Sequence, residues 1–315
     1  YNAYKKAYEV QDKPTVILAF TIKGYGFGSR QADNTAHQVK KLSKENLHDF
    51  VTNFKLPVSE KELDDPSYIK FSKGSAEERY LIEARKKLGG KLPIRKVNLE
   101  PQYFDEDKIF EDFNTESKRE MSTTMVFVRL LTGMLRDKKI GEKIVPIVPD
   151  EARTFGMDGL FRQFGIYSRE GQKYIPEDAD KVMWYRESED GVMLEEGITE
   201  AGAFSAWLAL ATSYANNQLP MIPFYIYYSM FGFQRIHDLA WAAGDARAKG
   251  FLLGATSGRT TLNGEGLQHQ DGHSHLLAQT IPNCRSYDPC FDYELATIIK
   301  EGIDDMYVEN NDNYY

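Results

Sequence analysis

Continuous apolar runs occupy the second half of this chain, and they predict strands and helices in alternation. Met221 to Tyr228 is apolar without a break, which is typical of a strand covered on both faces. Phe204 to Ala211 is apolar on every face of a helix, which predicts a buried helix with Glu200 in its first turn. A second helix is predicted from about Gln234 to Lys249, followed by a strand from Phe251 to Thr256. This alternation indicates a mainly parallel sheet, in which ligands bind beyond the carboxyl ends of the strands.

Polar side chains collect at the ends of the predicted strands. Asp150 and Glu151 follow an apolar run over Ile144 to Val148 that predicts another buried strand. Tyr228 ends the next strand, and a glycine-rich loop that contains His269 follows the strand after it. Because the carboxyl ends of parallel strands share one edge of a sheet, these residues indicate an active site at that edge.

The first third of the chain has a different pattern. Thr15 to Phe20 is short, apolar and β-branched, so we expect a buried strand there. The segment from Lys23 to Gly28 follows, in which three glycines alternate with aromatic residues. A tight turn and a close approach of the backbone to a ligand explain this pattern equally well. The polar stretch Ser29 to Lys44, which contains His37, is typical of a mobile loop. A charged, proline-punctuated connection with a helix from Ala76 to Leu88 follows.

Composition narrows the class of protein. A hydrophobic fraction of 42% and a charged fraction of 27% are typical of a soluble globular protein. The formal net charge of -8 argues against nucleic acid as a partner. No apolar stretch reaches the ~20 residues of a membrane helix, and no secretion signal is evident. Cys284 and Cys290 are too few for a disulfide framework, so we expect reduced, buried thiols and a cytoplasmic location.

Each candidate residue also has a purely structural explanation. An acid in the first turn of a helix, such as Glu200, is more often a cap or a partner of the helix dipole than a catalytic group. Phe231, in an aromatic-rich run, is typical of a core, and His37, in a polar loop, is typical of a solvated surface. The segment from Tyr167 to Asp190 is polar and weak in apolar pattern, so we expect a surface segment or lid.

The loop after the last predicted strand offers a separate hypothesis. It carries His269, Asp271, His273 and His275, and clustered histidine and aspartate are the residue types of metal sites. Their spacing fits no zinc template well. A metal-dependent hydrolase built on this cluster is therefore the least favoured interpretation.

Three long strings of residues resemble the homodimeric pyruvate dehydrogenase E1 family of thiamine diphosphate enzymes. They are Asp150 to Met157, Tyr225 to Ile236 and Thr256 to His275, and the likeness extends with varying strength over essentially the whole chain. The resemblance implies an α/β fold with a mainly parallel sheet flanked by helices, preceded by the remnant of a second α/β domain. Residues 100–315 would be the pyrimidine-binding (transketolase-like middle) domain, and residues 1–99 the C-terminal remnant of the diphosphate-binding domain with its linker.

The resemblance also implies roles for single residues. Gly197 to Glu200 matches the string whose acid binds the cofactor pyrimidine, Phe231 matches the ring that stacks on it, and Arg235 lies one helical turn further on. Tyr228 and His269 match residues that hydrogen-bond the substrate-derived part of the cofactor adduct. The candidate catalytic residues are Glu200, His37, His269, Tyr228, Lys23 and Glu151, and the candidate cofactor-binding residues are Glu200, Phe231, Arg235 and Asp150.

Two segments resemble mobile loops of the family. Ala36 to Lys41 matches the active-site loop whose histidine, here His37, acts when the acetyl group passes to the lipoyl sulfur. Tyr167 to Asp190 matches a second mobile loop beside it. The implied activity is oxidative decarboxylation of pyruvate with reductive acetylation of the lipoyl group of the E2 component, in a cytoplasmic homodimer.

The implied cofactors are thiamine diphosphate and Mg²⁺. In the family a Gly-Asp-Gly motif followed by an asparagine binds the metal, and no Gly-Asp-Gly occurs in this sequence. We therefore expect the metal ligands outside these residues, and we expect the chain to be an inactive piece of a longer protein. Another thiamine enzyme, such as a transketolase or a different 2-oxo acid dehydrogenase, and a catalytically inactive binding fragment are the alternatives.

Overall fold

The computed structural model describes residues 1–90, 97, 99–103, 109–113, 120–149, 152–177, 179–181, 183–256 and 266–315. The chain divides into two units, residues 1–94 and residues 95–315. In the described part of the chain, no helix combines the length and the apolar character needed to cross a membrane.

The first unit is helical. Its helices are α1 over Asn2–Glu9, α2 over Lys44–Asn53 and α3 over Ala76–Lys87. Ser75 is the N-cap of α3, since its Oγ accepts a hydrogen bond from the N–H of Glu78 at 3.2 Å. Gly89 and Gly90, with φ of 88° and 130°, follow its end. The helix predicted over Ala76 to Leu88 is therefore confirmed.

The buried strand that we predicted over Thr15 to Phe20 is wrong. Val16, Leu18 and Phe20 are 81%, 92% and 99% exposed, and the segment belongs to no sheet. Residues 1–90, which are described without a gap, contain no strand that could pair with it. Apolar, β-branched residues favour a strand only where a neighbouring strand completes the hydrogen bonds of the backbone.

The glycine and aromatic residues after this segment form a turn. Gly24, Gly26 and Gly28 have φ of 66°, 86° and 56°, a region that side chains with a Cβ rarely adopt. A Cβ on Gly26 would lie 2.5 Å from the ring of Phe54. Both observations support the tight turn as an explanation of this pattern.

Strands and helices alternate in the second unit. The strands are β1 over Ile144–Val148, β2 over Ile166–Tyr167, β3 over Glu187–Ser188, β4 over Leu194–Glu195, β5 over Ile222–Tyr228 and β6 over Phe251–Ala255. The helices are α4 over Thr123–Leu135, α5 over Asp158–Phe164, α6 over Glu200–Ala211, α7 over Ser213–Asn216, α8 over Phe233–Asp245, α9 over Ser274–Ala278 and α10 over Asp292–Ile303. A π-helix, Asp304–Val308, continues α10.

Four of these strands form a parallel sheet in the order β4-β1-β5-β6, and β2 pairs with β3 in a second, parallel pair. The register places Ile147 beside Leu194 on one side and beside Tyr225 on the other, and Tyr228 beside Ala255. All four carboxyl ends therefore lie at one edge, where an α/β sheet binds its ligands. The predicted fold class, a mainly parallel sheet flanked by helices, is confirmed.

Helices cover both faces of β5. Successive side chains of a strand point to opposite sides, so neighbouring residues of β5 contact different helices. On one face Phe224 packs against Phe127 of α4, with ring centroids 5.7 Å apart. On the other face Tyr225 meets Phe204 of α6 edge-on, also at 5.7 Å. The continuous apolar run of this strand is explained by burial on both sides, as predicted.

Helix α6 is less buried than predicted. Its buried residues are Ala203, Phe204, Trp207 and Ala211. Ala201, Ser205 and Ala209 are exposed and, at a spacing of four residues, lie on one stripe. The described residues of this unit leave this stripe uncovered, so the prediction of burial on every face is wrong. The pattern misled because small residues are compatible with burial but do not require it.

The two cysteines have different environments, and both are free. Cys284 is half-buried, and burial raises the pKa of its thiol to about 11. Cys290 is exposed, so the predicted burial is wrong for this residue. It lies in the loop that enters α10, where its N–H donates a hydrogen bond to the carboxylate of Glu294 at 2.8 Å.

The segment from Tyr167 to Asp190 is largely irregular where it is described, apart from the pairing of β2 with β3. Tyr174 and Ile175 are 51% and 79% exposed. The prediction of a surface segment is confirmed.

Lys249 is fully buried just before β6. Its Nζ donates a hydrogen bond to the carbonyl oxygen of Asn311 and lies 4.0 Å from Oδ1 of Asp312. Burial lowers the pKa of Lys249 to about 8, although Asp312 and Asp305 act in the opposite direction. The unfolded chain has a lysine pKa near ~10.4, so between these two values the unfolded state binds more protons than the folded state.

The free energy of unfolding should therefore rise with pH through this window. Relative to Lys249→Met, which does not titrate, we expect the wild type to gain about 2 kcal/mol between pH 7 and pH 9.5. Urea unfolding at the two pH values measures this gain, with Lys138→Met at an exposed position as the control. If the free energy of unfolding of the wild type exceeds that of Lys249→Met by the same amount at both pH values, burial does not shift the pKa of Lys249.

Candidate active site

Glu200, the first residue of α6, pairs with Arg235 of α8. Arg235 Nη1 lies 2.5 Å from Oε1 of Glu200, whose side chain is 13% exposed. The same guanidinium lies over the ring of Phe231, with its carbon 4.5 Å from the ring centroid. Thr199 caps the helix, since its Oγ1 accepts from the N–H of Gly202 at 3.2 Å. A tertiary ion pair therefore orients Glu200, and another residue provides the side-chain cap.

Four rings adjoin this ion pair, and we call Phe155, Tyr228, Phe231 and His269 the aromatic cluster. The ring of Tyr228 lies 5.0 Å from Phe155 and 6.3 Å from Phe231, measured between centroids. The imidazole of His269 is edge-on to both Tyr228 and Phe231, at 5.2 and 5.5 Å. Edge-to-face packing at such distances is favourable. The cluster places a phenol and an imidazole beside flat apolar surface.

The predicted site residues of the second unit that the structure describes are thus brought together: Glu200, Tyr228, Phe231, Arg235 and His269. Tyr228 is the last residue of β5, and the others come from segments that follow β4, β5 or β6 at the carboxyl edge. The candidates Asp150 and Glu151 lie outside the described residues. Phe155 lies in the string Asp150 to Met157, which resembles the family. Its contact with Tyr228 became evident only in the tertiary structure.

Tyr225 is a polar group at this site that no sequence signal indicated. Its side chain is fully buried, and its hydroxyl has no hydrogen-bond partner in the part of the chain that the structure describes. Burial, and then the negative charge of Glu200, raise the pKa of this phenol. In an apolar run a tyrosine is indistinguishable from core, so only the fold identifies it as a neutral donor group.

The residues of the histidine-rich loop have separate partners. His275 Nδ1 lies 2.5 Å from Oγ of Ser286, whereas His269 belongs to the aromatic cluster. Asp271 accepts a hydrogen bond from Ser229. Across the described ranges, no three side chains of histidine, cysteine, aspartate or glutamate are grouped to hold a metal ion. The hydrolase hypothesis therefore has no support in these residues.

In the first unit, Lys23 and His37 are brought together. Nζ of Lys23 lies 3.3 Å from Nδ1 of His37, and the carbonyl oxygen of Asn34 lies 3.1 Å from the same nitrogen. A neutral imidazole accepts from an ammonium through its unprotonated nitrogen and donates to a carbonyl through the protonated one. The two contacts therefore correspond to two tautomers of His37. When Lys23 is the partner, the proton is on Nε2.

A groove of about 640 Å³ runs along the outer edge of β6. Its lining includes Leu253, Ala255 and Tyr287, and it reaches Ser229 and Asp271. Glu200, Phe231 and His269 are not among its lining residues. The groove follows the edge strand of the sheet, and the aromatic cluster lies at the carboxyl end, so the two are different features.

The class of fold is that of the transketolases. The chain superposes on the transketolase of Campylobacter jejuni with a TM-score of 0.63 and on that of Leishmania mexicana with a TM-score of 0.58, at 16% and 14% sequence identity. Each superposition covers 99% of this chain, and 43% and 42% of the respective transketolase chain. At these identities the likeness defines the fold alone.

Comparison of sequences identifies the family. A family model described as the pyruvate dehydrogenase E1 component middle domain matches residues 100–315. The chain is 56% identical to the pyruvate dehydrogenase E1 component of Pseudomonas aeruginosa and 55% identical to that of Escherichia coli, with all of this chain covered. It belongs to the pyruvate dehydrogenase E1 component family, as the resemblance predicted. It spans 36% of the length of these two relatives.

Proposed function

We propose that this chain is the pyrimidine-binding part of a thiamine diphosphate-dependent pyruvate dehydrogenase. The full-length protein would decarboxylate pyruvate oxidatively and transfer the acetyl group to the lipoyl arm of an E2 component. One observation carries the proposal: at the carboxyl edge of the sheet, Arg235 joins the carboxylate of Glu200 to the ring of Phe231. Membership in the pyruvate dehydrogenase E1 component family supports pyruvate as the substrate.

The residues present fit an aminopyrimidine. A carboxyl group can share a proton with one ring nitrogen, and an aromatic side chain can pack against the ring. Arg235 occupies Oε1 of Glu200, and among the described residues no hydrogen bond reaches Oε2. Oε2 would hold the proton shared with N1′ of the pyrimidine, and Phe231 would pack against its face. Arg235 would keep the carboxylate oriented.

When bound, thiamine diphosphate supplies a carbon nucleophile and an electron sink for decarboxylation. The aromatic cluster would hold the substrate beside it. The phenol of Tyr228 and the imidazole of His269 would donate hydrogen bonds to pyruvate oxygens. Phe155, which is 1% exposed and packs on Tyr228, would exclude water from that side.

His37 would serve the second half of the reaction. With Nδ1 accepting from Lys23, the imidazole carries its proton on Nε2 and can donate it during transfer of the acetyl group to the lipoyl sulfur. Lys23 would thus select the tautomer of His37.

The remaining features of the proposal concern the whole protein. Residues 1–99 would end the diphosphate-binding domain, and residues 100–315 would form the pyrimidine-binding domain. Mg²⁺ would be bound by residues outside this chain, since its sequence contains no Gly-Asp-Gly motif. Asp150 and Glu151 would line the cofactor cavity. We expect a cytoplasmic homodimer.

The proposal is tested with the full-length protein, thiamine diphosphate, Mg²⁺ and a lipoylated E2 domain. Pyruvate-dependent acetylation of that domain, followed by mass spectrometry, is the expected result. Transfer of two-carbon units between sugar phosphates without pyruvate turnover would instead indicate a transketolase. Cofactor binding without either reaction would indicate a binding module.

A further inference from the structure

Asp271 joins the two loops that carry the aromatic cluster. The loop after β5 contains Ser229 and Phe231, and the loop after β6 contains His269 and Asp271. Ser229 Oγ donates a hydrogen bond to Oδ2 of Asp271, and Ser274 Oγ donates to the carbonyl oxygen of Ser229 at 3.4 Å. The bond from Ser229 to Asp271 therefore lies two residues from Phe231 in one loop and two residues from His269 in the other.

The second carboxylate oxygen of Asp271 orders its own loop. Oδ1 accepts from the backbone N–H groups of His273 and Ser274, at 2.9 and 3.2 Å, where α9 begins. Nε2 of Gln234 lies 3.4 Å from the same oxygen. Burial opposes ionisation, but the hydrogen bonds from Ser229 and from these backbone groups hold the pKa of Asp271 well below its usual range. The carboxylate is therefore a constant acceptor at neutral pH.

Ser229 has little room to move. It is 6% exposed, and Gly254 of β6 lies against it. A Cβ on Gly254 would be 2.9 Å from Oγ and 3.0 Å from Cβ of Ser229. The strand on one side and Asp271 on the other thus define where this serine, and the turn that leads to Phe231, can lie.

We propose that Asp271 is a positioning residue, which acts through Ser229 to set the separation of His269 from Tyr228 and Phe231. The inference rests on the proposed function, in which His269 and Tyr228 hold pyruvate. Without the bond from Ser229 to Asp271, the two loops still contact each other through two longer bonds of 3.4 Å, which Ser274 and Gln234 donate, and through the rings. The separation of His269 from Tyr228 is then less closely fixed. A displacement of about 1 Å in a group that orients substrate can cost about 100-fold in rate.

Two variants of the full-length protein, loaded with thiamine diphosphate and Mg²⁺, test the proposal against a control. Ser229→Ala removes the side-chain bond to Asp271, keeps the backbone bonds of Asp271, and keeps the carbonyl oxygen that accepts from Ser274. We expect kcat/KM for pyruvate to fall about 10-fold. Asp271→Ala removes both sets of bonds, and a fall of about 100-fold is expected. The Kd for thiamine diphosphate should rise by a smaller factor than kcat/KM falls, because Glu200 keeps its bond to Arg235 and only Phe231 lies on the affected turn. Ser205→Ala, at an exposed serine of α6, is the control.

Asp271→Asn separates position from charge. The amide oxygen still accepts from the backbone N–H groups, and the amide nitrogen can donate to Oγ of Ser229. We expect this variant to retain kcat/KM within about threefold of the wild type. A loss as large as that of Asp271→Ala would mean that the charge acts directly, and this would overturn the proposal.

Amide hydrogen exchange of residues 266–273 gives a readout that does not depend on turnover. In the ligand-free protein, Ser229→Ala should exchange about tenfold faster in this loop than the wild type, because a local opening becomes easier. Unchanged exchange there would overturn the positioning role whatever the activity. If the wild-type protein does not decarboxylate pyruvate, the proposed function fails, and the exchange result still decides whether Asp271 orders the loop of His269.

Discussion

Glu200→Gln in the full-length protein is expected to slow proton exchange at C2 of bound thiamine diphosphate by about 100-fold or more. The amide has nearly the same shape and can still accept a hydrogen bond from Arg235, so helix α6 should keep its position. It cannot share a proton with the pyrimidine nitrogen as a carboxyl group does. Exchange of the C2 proton for deuterium, quenched in acid and quantified by NMR, measures the effect directly.

The free energy of unfolding should change by about 1 kcal/mol, because the side chain of Arg235 is 48% exposed and the amide oxygen can still accept its hydrogen bond. Glu196→Gln, an exposed glutamate just before the same helix, is the matched control and should exchange like the wild type. If Glu200→Gln also exchanges like the wild type, Glu200 is a structural partner of Arg235 and no more, and the proposed cofactor role is wrong.

His37→Ala is expected to separate the two halves of the reaction. Pyruvate decarboxylation, followed with an artificial electron acceptor, should stay within about threefold of the wild type. Reductive acetylation of a lipoyl domain should fall by about 100-fold, because general acid catalysis of this step is lost. Both assays use the same preparation of full-length protein, so loss of folded protein would lower them together.

His48→Ala is the matched control, since His48 is an exposed histidine of α2 in the same unit. It should leave both assays unchanged. Lys23→Met should weaken acetylation in the same direction as His37→Ala, because His37 then loses the partner that favours a proton on Nε2. Equal losses in the two assays for His37→Ala would assign His37 to substrate binding or loop folding.

Local patterns predicted three of the four strands of the sheet, β1, β5 and β6, and the two-residue strand β4 was not predicted. The resemblance of local strings indicated most residues of the candidate site. The apolar run of β5 predicts burial on both faces, because successive side chains point to opposite sides of the sheet and all of them are apolar. Tyr228 ends that strand, and Phe231 and Arg235 follow it closely, so the resemblance of a single string predicted all three together. Glu200 follows from the same kind of local string at the start of α6.

Burial and cross-chain contacts needed the tertiary structure, because they depend on residues far apart in the sequence. Thr15 to Phe20 has the composition of a buried strand, yet it is exposed, since pairing requires a neighbour that its own residues do not specify. The stripe of small residues on α6 likewise has the same composition whether or not another surface covers it. The ion pair of Arg235 with Glu200 and the bond of Ser229 with Asp271 each connect distant segments. No spacing in the chain encodes them, because the parallel sheet alone brings the carboxyl ends of its strands to one edge.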